Sequence, residues 1–258
     1  MLDARTTPDL ERLAGLLSAS GPAMPLRSPL TGELIGELPT STEADITAAA
    51  ERARAAQHGW AAWPVEERAA LLLDFHDALL DRRDQFIDLI QTTGGKARLS
   101  ATEEVLHLSL TARYYGRTAR RYLHSERGSG LVPLLTRVDR HYVPKGLVGV
   151  IGPWNYPLTI PISDGLAALV AGNAVLVKPD QQTPLAVLAA VDLLRSLGLP
   201  TDLWSVVHGP GGEVGPQLIK VSNYVCFTGS TATGREVAAQ CAEPVSYTHL
   251  TLPTTPYV

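Results

Sequence analysis

Four short runs of apolar, β-branched residues in the second half of the chain constrain its fold more than any other feature. Helix-length segments separate these runs, and each run is apolar almost throughout. Buried parallel strands have this composition because helices cover both faces of their sheet. The pattern therefore predicts βαβ units and an α/β fold with a doubly wound parallel sheet. The runs lie at residues 147–151, 174–178, 204–208 and 223–227, and the predicted helices at 163–171, 185–198 and 213–220.

The first half of the chain is predicted to be mainly helical. A Thr-Gly turn at residues 31–32 separates two short extended pieces, and Ser41 or Thr42 is predicted to cap the helix that follows. A second helix is expected from Pro64, which suits a first helical turn, and a third after the glycine pair 94–95. The second helix carries an apolar stripe at Leu71, Leu72, Phe75, Leu79 and Ile87.

Two further segments differ from this pattern. Residues 125–130, with the sequence SERGSG, are predicted to form a loop, and residues 131–143 alternate as an extended ribbon would. Residues 245–258 contain no Asp, Glu, Lys or Arg and follow neither a helical nor an alternating period. We interpret these last fourteen residues as a non-native tail.

Composition excludes several classes of protein. The chain has 22 Lys and Arg against 26 Asp and Glu, a net charge of −4, and no long basic cluster, so nucleic-acid binding is disfavoured. Its 2 cysteines have no C-x-x-C spacing, which favours a reducing compartment and argues against a disulfide scaffold or a metal site. The N-terminus lacks the apolar stretch of a signal peptide. Prolines interrupt the apolar segment 146–177, so no membrane span is expected. The protein is predicted to be cytoplasmic.

In a doubly wound sheet, ligands bind at the carboxyl ends of the strands, so the loops that follow the strands carry the functional predictions. After the first strand, the rigid turn PWNYP presents Asn155, whose amide could donate a hydrogen bond to an oxyanion. Alternatively, Asn155 satisfies only the backbone of the turn. After the second strand, Lys178 could donate to ribose hydroxyls or a phosphate. Its alternative is a solvated surface lysine.

The loops after the third and fourth strands are rich in glycine. Residues 209–215 nearly match the dinucleotide fingerprint G-x-G-x-x-G, but Val214 stands where the last glycine belongs. Gly229 and Ser230 precede a helix whose free N–H groups could bind an anion such as a pyrophosphate. Plain N-capping would also require Ser230.

Taken in order, the segments PWNYP, LVAGNAVLVKPDQQTP, GPGGEVG and FTGSTATG resemble those of the aldehyde dehydrogenase superfamily. The resemblance extends from Ser28 to about Glu243. The sequence around GGKAR and KPDQQTP is most similar to that of NADP-dependent succinate-semialdehyde dehydrogenases. It implies a Rossmann-like cofactor domain and oxidation of a small-molecule aldehyde to a carboxylic acid. That reaction proceeds through a cysteine thiohemiacetal, with NADP or NAD accepting a hydride. A homodimer or homotetramer is implied for the full-length protein.

The resemblance also implies roles for individual residues. Asn155 matches the catalytic oxyanion-hole amide, and Lys178 matches the lysine that binds the adenosine ribose. Gln181 stands where NAD-preferring members carry a Glu for the ribose diol, so NADP is the expected cofactor and NAD a possible one. The implied cofactor-binding residues are Trp154, Lys178, Pro179, Asp180, Gln181, Gly209, Gly215, Gly229 and Ser230.

Several departures from the family pattern affect this interpretation. The general-base Glu of an E-L-G-G-K motif should follow FTGSTATG, where the unusual tail stands, and the nucleophilic Cys would lie beyond Val258. Cys226 and Cys241 do not match it and are interpreted as packing residues. Ser163 stands where several succinate-semialdehyde dehydrogenases carry an Arg for the substrate carboxylate. We therefore expect the catalytic domain to be missing and this chain to be inactive alone.

The predicted organisation has four parts. A strand pair and helices (1–124) pack on the cofactor domain, a β-ribbon (125–145) serves oligomerisation, an NAD(P)-binding region spans 146–244, and the tail spans 245–258. Two alternatives remain open: a non-catalytic nucleotide-binding pseudoenzyme, or a structural or assembly protein that pairs through the ribbon.

Overall fold

A computed structural model describes residues 10–132, 135–243 and 247–251 of the chain. Its helices are α1 (Leu10–Ala14), α2 (Glu43–Ala62), α3 (Val65–Asp81), α4 (Arg83–Gly94), α5 (Arg98–Leu123), α6 (Thr159–Val170), α7 (Pro184–Ser196), α8 (Gly211–Val221) and α9 (Thr231–Ala242). Its strands are β1 (Ala23–Arg27), β2 (Leu34–Pro39), β3 (Glu126–Ser129), β4 (Arg137–Arg140), β5 (Leu147–Ile151), β6 (Ala174–Lys178), β7 (Trp204–Val206), β8 (Tyr224–Thr228) and β9 (Tyr247–Thr251).

The central sheet has five parallel strands in the order β7-β6-β5-β8-β9. The chain runs outward from β5 through β6 to β7 and then returns to the other side of β5, so the strand order reverses between β5 and β8. Helices form the layers around the sheet: α2 contacts α8 and α8 contacts α9, whereas α6 contacts α3, α5 and α7. The predicted α/β fold with a doubly wound parallel sheet is confirmed.

The apolar runs form strands close to their predicted bounds. β5 and β6 match the prediction, β7 ends two residues early at Val206, and β8 is displaced by one residue. All five residues of β6 are buried, as expected for a strand that is covered on both faces. Close approach of a helix explains one glycine: a Cβ at Gly165 of α6 would lie 2.1 Å from the buried Trp204 ring.

The helical first half is confirmed, with one correction. Thr42 caps α2, and a reciprocal capping box joins it to Asp45. The predicted second helix is two helices, because the chain leaves helical geometry at Arg82 (φ −101°, ψ 15°) between α3 and α4. The apolar stripe continues across this break, so its period did not reveal it. The short helix α1 was also not predicted.

The loop predicted at residues 125–130 is wrong. Residues Glu126–Ser129 form β3, which pairs antiparallel with β4 in an exposed hairpin. Arg140 donates to Glu126 across the pair at 3.1 Å. This contact joins residues of two strands, so the sequence of neither strand predicts it. Pro133 and Leu134, within the predicted ribbon, lie outside the described residues. The ribbon's role in oligomerisation stays a prediction.

The end of the chain also adds a strand. Residues Tyr247–Thr251 pair parallel with β8 over its full length, although their sequence shows no strand period. Residues 244–246 and 252–258 lie outside the described part of the chain, and the non-native origin of the tail stays a prediction. Within the described residues, no helix combines the length and apolar character that crossing a membrane requires.

Candidate functional site

The sheet brings the loops after β5, β6 and β8 to one edge. Ile151 at the end of β5 is level with Lys178 at the end of β6 and with Phe227 of β8. The strand order reverses between β5 and β8, and in doubly wound sheets such a switch point is where ligands bind. The PWNYP turn, the Lys178 loop and the Gly229–Ser230 turn therefore lie at the same edge of the sheet. That a ligand binds there stays a prediction.

The side chain of Asn155, in the PWNYP turn, makes no hydrogen bond that stabilises the fold among the described residues. Asn155 is half-buried, next to Trp154, which is 59% exposed. Among the described residues, none makes a hydrogen bond with the Asn155 amide, so the alternative that it satisfies the turn backbone is not observed. The amide is available to donate to a ligand at this edge.

A buried carboxylate that the sequence analysis missed holds this turn in place. Glu104 of α5 accepts from the N–H groups of Leu158 and Thr159 at 2.8 and 3.0 Å, which caps the first turn of α6. Lys96 donates to the other carboxylate oxygen at 2.6 Å, and its Nζ lies 3.9 Å from the centre of the Tyr156 ring. Helix α6 therefore begins at Thr159, four residues before the predicted start.

A signal for Glu104 was present in the sequence. It lies on the apolar stripe of α5, three residues after Ala101 and four before Leu108, both of which are fully buried. A charged residue on such a stripe has to be paired, because an isolated buried carboxylate is costly. The sequence predicts that Glu104 has partners but does not say which.

Lys178 is the chief cationic group at this edge. The residue is only 4% exposed, so the alternative of a solvated surface lysine is wrong. Its Nζ donates to the Pro179 carbonyl at 3.0 Å, and no second hydrogen-bond partner lies among the described residues. Burial lowers the pKa of the Lys178 ammonium, and the Asp180 charge opposes that shift. Two of its three N–H groups are thus left for a ligand.

The loop after Lys178 is held by its own side chains and by a histidine that the sequence analysis missed. The Asp180 carboxylate accepts from the Gln182 N–H at 2.9 Å and so forms an Asx turn. This hydrogen bond directs the carboxylate to the backbone of its own loop. The Gln181 carbonyl faces Nε2 of the buried His208 at 3.3 Å. His208 ends the WSVVH run, where it was read only as part of a strand.

The glycine-rich turn departs from the dinucleotide fingerprint for a packing reason. Gly209 has a φ of +141°, which suits glycine, and a Cβ there would lie 2.9 Å from Val214. Val214, which stands where the fingerprint has its last glycine, is buried, and its side chain packs against the turn at Gly209. A Cβ at Gly215 would meet no atom within 4 Å. Gly215 is itself buried in α8, with open space where a Cβ would stand.

The turn after β8 shows one of the two predicted roles of Ser230. Its hydroxyl accepts from the Thr233 N–H at 3.2 Å and caps α9, so the N-capping alternative is observed. A Cβ at Gly229 would lie 2.5 Å from the Phe227 ring, so any larger residue would require this buried ring to shift. An anion-binding role for this turn stays a prediction.

Neither cysteine has the environment of a nucleophile. Both are buried, and burial with the nearby Asp164 charge raises the pKa of the Cys226 thiol to about 12. Burial also raises the pKa of the Cys241 thiol. Burial likewise raises the pKa of the Asp164 carboxyl to about 6, and the nearby His249 opposes this shift. These thiols are packing residues, as predicted from their sequence positions.

The chemistry of this edge fits a dinucleotide. The buried ammonium of Lys178 has two N–H groups without a hydrogen-bond partner among the described residues, and a nucleotide offers ribose hydroxyls and phosphate oxygens to accept from them. In the described ranges, no three His, Cys, Asp or Glu side chains are grouped so that they could hold a metal ion.

Comparison with known proteins agrees with this reading. The profile described as "Aldehyde dehydrogenase family" matches residues 17–255. The chain is 45% identical over 244 residues to a Mycolicibacterium smegmatis protein named "Putative succinate-semialdehyde dehydrogenase (NADP(+))", covering 93% of this chain and 47% of that protein. The chain thus spans about half the length of the curated relatives it matches.

Solved structures share the fold. The NAD-dependent benzaldehyde dehydrogenase of Corynebacterium glutamicum superposes with a TM-score of 0.86 at 28% identity, covering 92% of this chain and 54% of that one. The 3,6-anhydro-L-galactose dehydrogenase in complex with NADP gives 0.85 at 30% identity, covering 91% and 49%. The predicted resemblance is confirmed: this chain belongs to the aldehyde dehydrogenase family.

Proposed function

We propose that this chain is the cofactor-binding part of an NADP-dependent aldehyde dehydrogenase that oxidises succinate semialdehyde to the dicarboxylic acid. One observation carries most of the proposal. Lys178 keeps a buried ammonium at the carboxyl edge of the sheet with a single protein acceptor. Maintaining a charge there is costly unless a polar ligand completes its hydrogen bonds. The ribose hydroxyls and phosphate of a nucleotide are such a ligand.

The bound cofactor supplies the nicotinamide that accepts a hydride. This chain's own residues bind and orient it. Lys178 donates to the adenosine ribose, the loop from Pro179 to Gln181 borders the ribose, and Gly209 and Gly215 leave room for the adenosine half. Gln181 is uncharged, so it does not repel a 2′-phosphate as a Glu would.

Asn155 supplies the second function. Its amide is uncommitted in the fold, and the turn that carries it is fixed by Glu104. A donor held this way can stabilise the oxygen of an aldehyde as it gains negative charge, and removing one such donor costs about 3 to 4 kcal/mol of transition-state stabilisation. Trp154, exposed in the same turn, lies against the cofactor in this proposal.

Succinate semialdehyde is the proposed substrate because the M. smegmatis relative carries that name. The substrate carboxylate needs a cation, and Ser163 stands where several members carry an Arg. The Ser163 hydroxyl is buried and has no hydrogen-bond partner among the described residues. In this proposal, the cation that pairs with the carboxylate comes from a position other than Ser163.

The full-length protein is proposed to be a homodimer or homotetramer that pairs through the exposed β3–β4 ribbon. Both strands of this hairpin are exposed along their whole length. Leu135 (83% exposed) and Val143 (77%) add apolar surface beside it. An isolated two-stranded hairpin is marginal in water, so pairing with another strand stabilises it.

Calorimetry of NADP binding to the 258-residue chain tests the cofactor proposal. We expect binding by the wild type and a loss of about tenfold in affinity for Lys178→Met, the size of one charge-assisted hydrogen bond. Lys220→Met is the matched control, because Lys220 is exposed on α8 and donates only to Gln217. Equal affinity in all three proteins, or no binding by the wild type, would contradict the proposal.

A further inference from the structure

The buried His208 makes contacts to which the proposed function assigns no role. Its residue is 1% exposed, and it lies directly before Gly209 at the end of the third strand run. Its backbone is fixed in place, because its N–H donates to the Ser41 hydroxyl at 2.9 Å and its carbonyl accepts from the Ser41 N–H at 2.7 Å. The imidazole position is therefore set by two separate parts of the chain.

Both ring nitrogens of His208 face carbonyl oxygens. Nδ1 lies 3.1 Å from the Pro39 carbonyl and Nε2 lies 3.3 Å from the Gln181 carbonyl. A neutral imidazole has one N–H and satisfies only one of these acceptors, while its other nitrogen directs a lone pair at an oxygen. An imidazolium donates to both. The geometry thus favours the protonated ring, whereas burial favours the neutral one.

The surroundings of the ring, burial above all, favour the neutral form when no ligand is bound. Burial is the largest effect and lowers the pKa of His208; the Lys178 charge lowers it further, while the two carbonyls and Asp180 raise it. Lys178 and Asp180 are the charged groups that act on this imidazole. A phosphate beside Lys178 would add about −1.5 to −2 charges and shift the balance toward the imidazolium.

We propose that His208 is a positioning residue for NADP. When the 2′-phosphate binds beside Lys178, the imidazole takes up a proton from solvent. The imidazolium then donates one hydrogen bond to the Gln181 carbonyl and one to the Pro39 carbonyl. Both carbonyls thereby accept a hydrogen bond from His208 at the same time only when the 2′-phosphate is present. NAD, which lacks that phosphate, binds without this proton. The inference rests on the proposed function, in which the adenosine ribose lies at Lys178.

Isothermal titration of the 258-residue chain with NADP and with NAD, in buffers of different ionisation enthalpy, measures proton uptake directly. Wild type, His208→Gln and the control His76→Gln are compared at pH 6.5 and 8. His76 also contacts a carbonyl, that of Ser109, but it lies on α3, outside the elements that form the site. Because the 2′-phosphate itself titrates with a pKa near 6, the difference between wild type and variant is the informative quantity.

We expect NADP binding to take up more protons in the wild type and in His76→Gln than in His208→Gln, and NAD binding to show no such difference between the three proteins. The variant should also lose about tenfold in NADP affinity at pH 6.5, as for one charge-assisted hydrogen bond. Its affinity for NAD should change little. The wild-type advantage should shrink as pH rises, because the raised pKa of the bound state is then exceeded.

Each contrary result has a distinct meaning. An equal loss of both cofactors in His208→Gln, or unchanged NADP binding and proton uptake, overturns the role of His208 and leaves the proposed function intact. No binding of either nucleotide by the wild type overturns both. Should His208→Gln not fold, ¹⁵N spectra of the wild-type imidazole decide: protonation on adding NADP but not NAD supports the proposal, and an identical response to both overturns it.

Discussion

The ammonium of Lys96 lies 2.6 Å from the buried carboxylate of Glu104, and this pair joins the loop after α4 to the start of α6. The side chain of Glu104 is fully buried and that of Lys96 is 18% exposed. Through Glu104 the pair fixes the N–H groups of Leu158 and Thr159, and through Lys96 it covers the Tyr156 ring. The two residues thus support the turn that carries Asn155.

Removing this carboxylate should destabilise the protein strongly. We expect Glu104→Ala to lower the free energy of unfolding by about 3 to 5 kcal/mol, because Lys96 loses its ionic partner and α6 loses its cap. Urea denaturation measures the loss. Glu103→Ala is the matched control: Glu103 is the exposed neighbour, and its substitution should change stability by about 0.5 kcal/mol or less. A similar effect of both variants would contradict the role of the pair.

Replacing Asn155 should affect turnover and not cofactor binding. In the full-length enzyme we expect Asn155→Ala to lower kcat by about 10²- to 10³-fold, because an interaction made only in the transition state is lost. The dissociation constant for NADP, measured on the same variant, should stay within about twofold of the wild type. A kcat within about threefold of wild type would show that Asn155 does not stabilise the oxyanion.

The 258-residue chain should show no aldehyde oxidation with either cofactor. Its thiols are buried and their pKa values are raised, so neither is a thiolate at neutral pH. We expect both Cys226 and Cys241 to resist iodoacetamide in the folded chain and to react after unfolding in urea, as followed by mass spectrometry. Turnover above the buffer blank that disappears in Cys226→Ser or Cys241→Ser would contradict this prediction.

Cofactor preference should depend on Gln181 and not on Asp180. In the full-length enzyme we expect kcat/KM to favour NADP, and Gln181→Glu to shift the ratio toward NAD by about tenfold or more through charge repulsion with the 2′-phosphate. Asp180→Ala should leave the ratio nearly unchanged, because the Asp180 carboxylate accepts from the Gln182 N–H. A preference for NAD that disappears in Asp180→Ala would identify Asp180 as the selecting residue instead.

Stability should depend on pH through Asp164. Burial raises the pKa of this carboxyl from its ordinary 3.8 to about 6, so the folded state binds a proton that the unfolded state has released. Between pH 4 and 6 this contribution to stability falls as pH rises, by about 3 kcal/mol in total. We expect Asp164→Asn to be more stable than the wild type at pH 7.5 and to lose that advantage at pH 4. An advantage independent of pH would contradict the shift.

The sequence predicted the parts of the site whose signals are local. The bounds of β5 and β6 follow from their composition, since strands buried on both faces are apolar throughout. The Thr42 cap of α2 follows from one side chain and the backbone three residues later. The loops with Asn155, Lys178 and Gly229 were found because ligands bind at the carboxyl ends of parallel strands.

Contacts between distant residues were outside the reach of such patterns. Glu104 is separated by 54 residues from the N–H group it caps, and His208 by 169 residues from the Pro39 carbonyl. The β3–β4 hairpin likewise depends on a contact between separate segments, the pairing of Glu126 with Arg140. A hydrophobic period reports which face of an element is buried, but it does not report which polar group lies opposite.

By itself, the sequence determined the α/β class, the parallel strands and the order along the chain of the loops that form the candidate site, because composition and turn chemistry act over a few residues. The tertiary structure decided where α6 begins, that Lys178 is buried, and that Glu104 and His208 support the turn of Asn155 and the loop of Gln181. The physical reason is that a buried polar group requires partners, and only the assembled sheet and helices bring those partners within hydrogen-bonding distance.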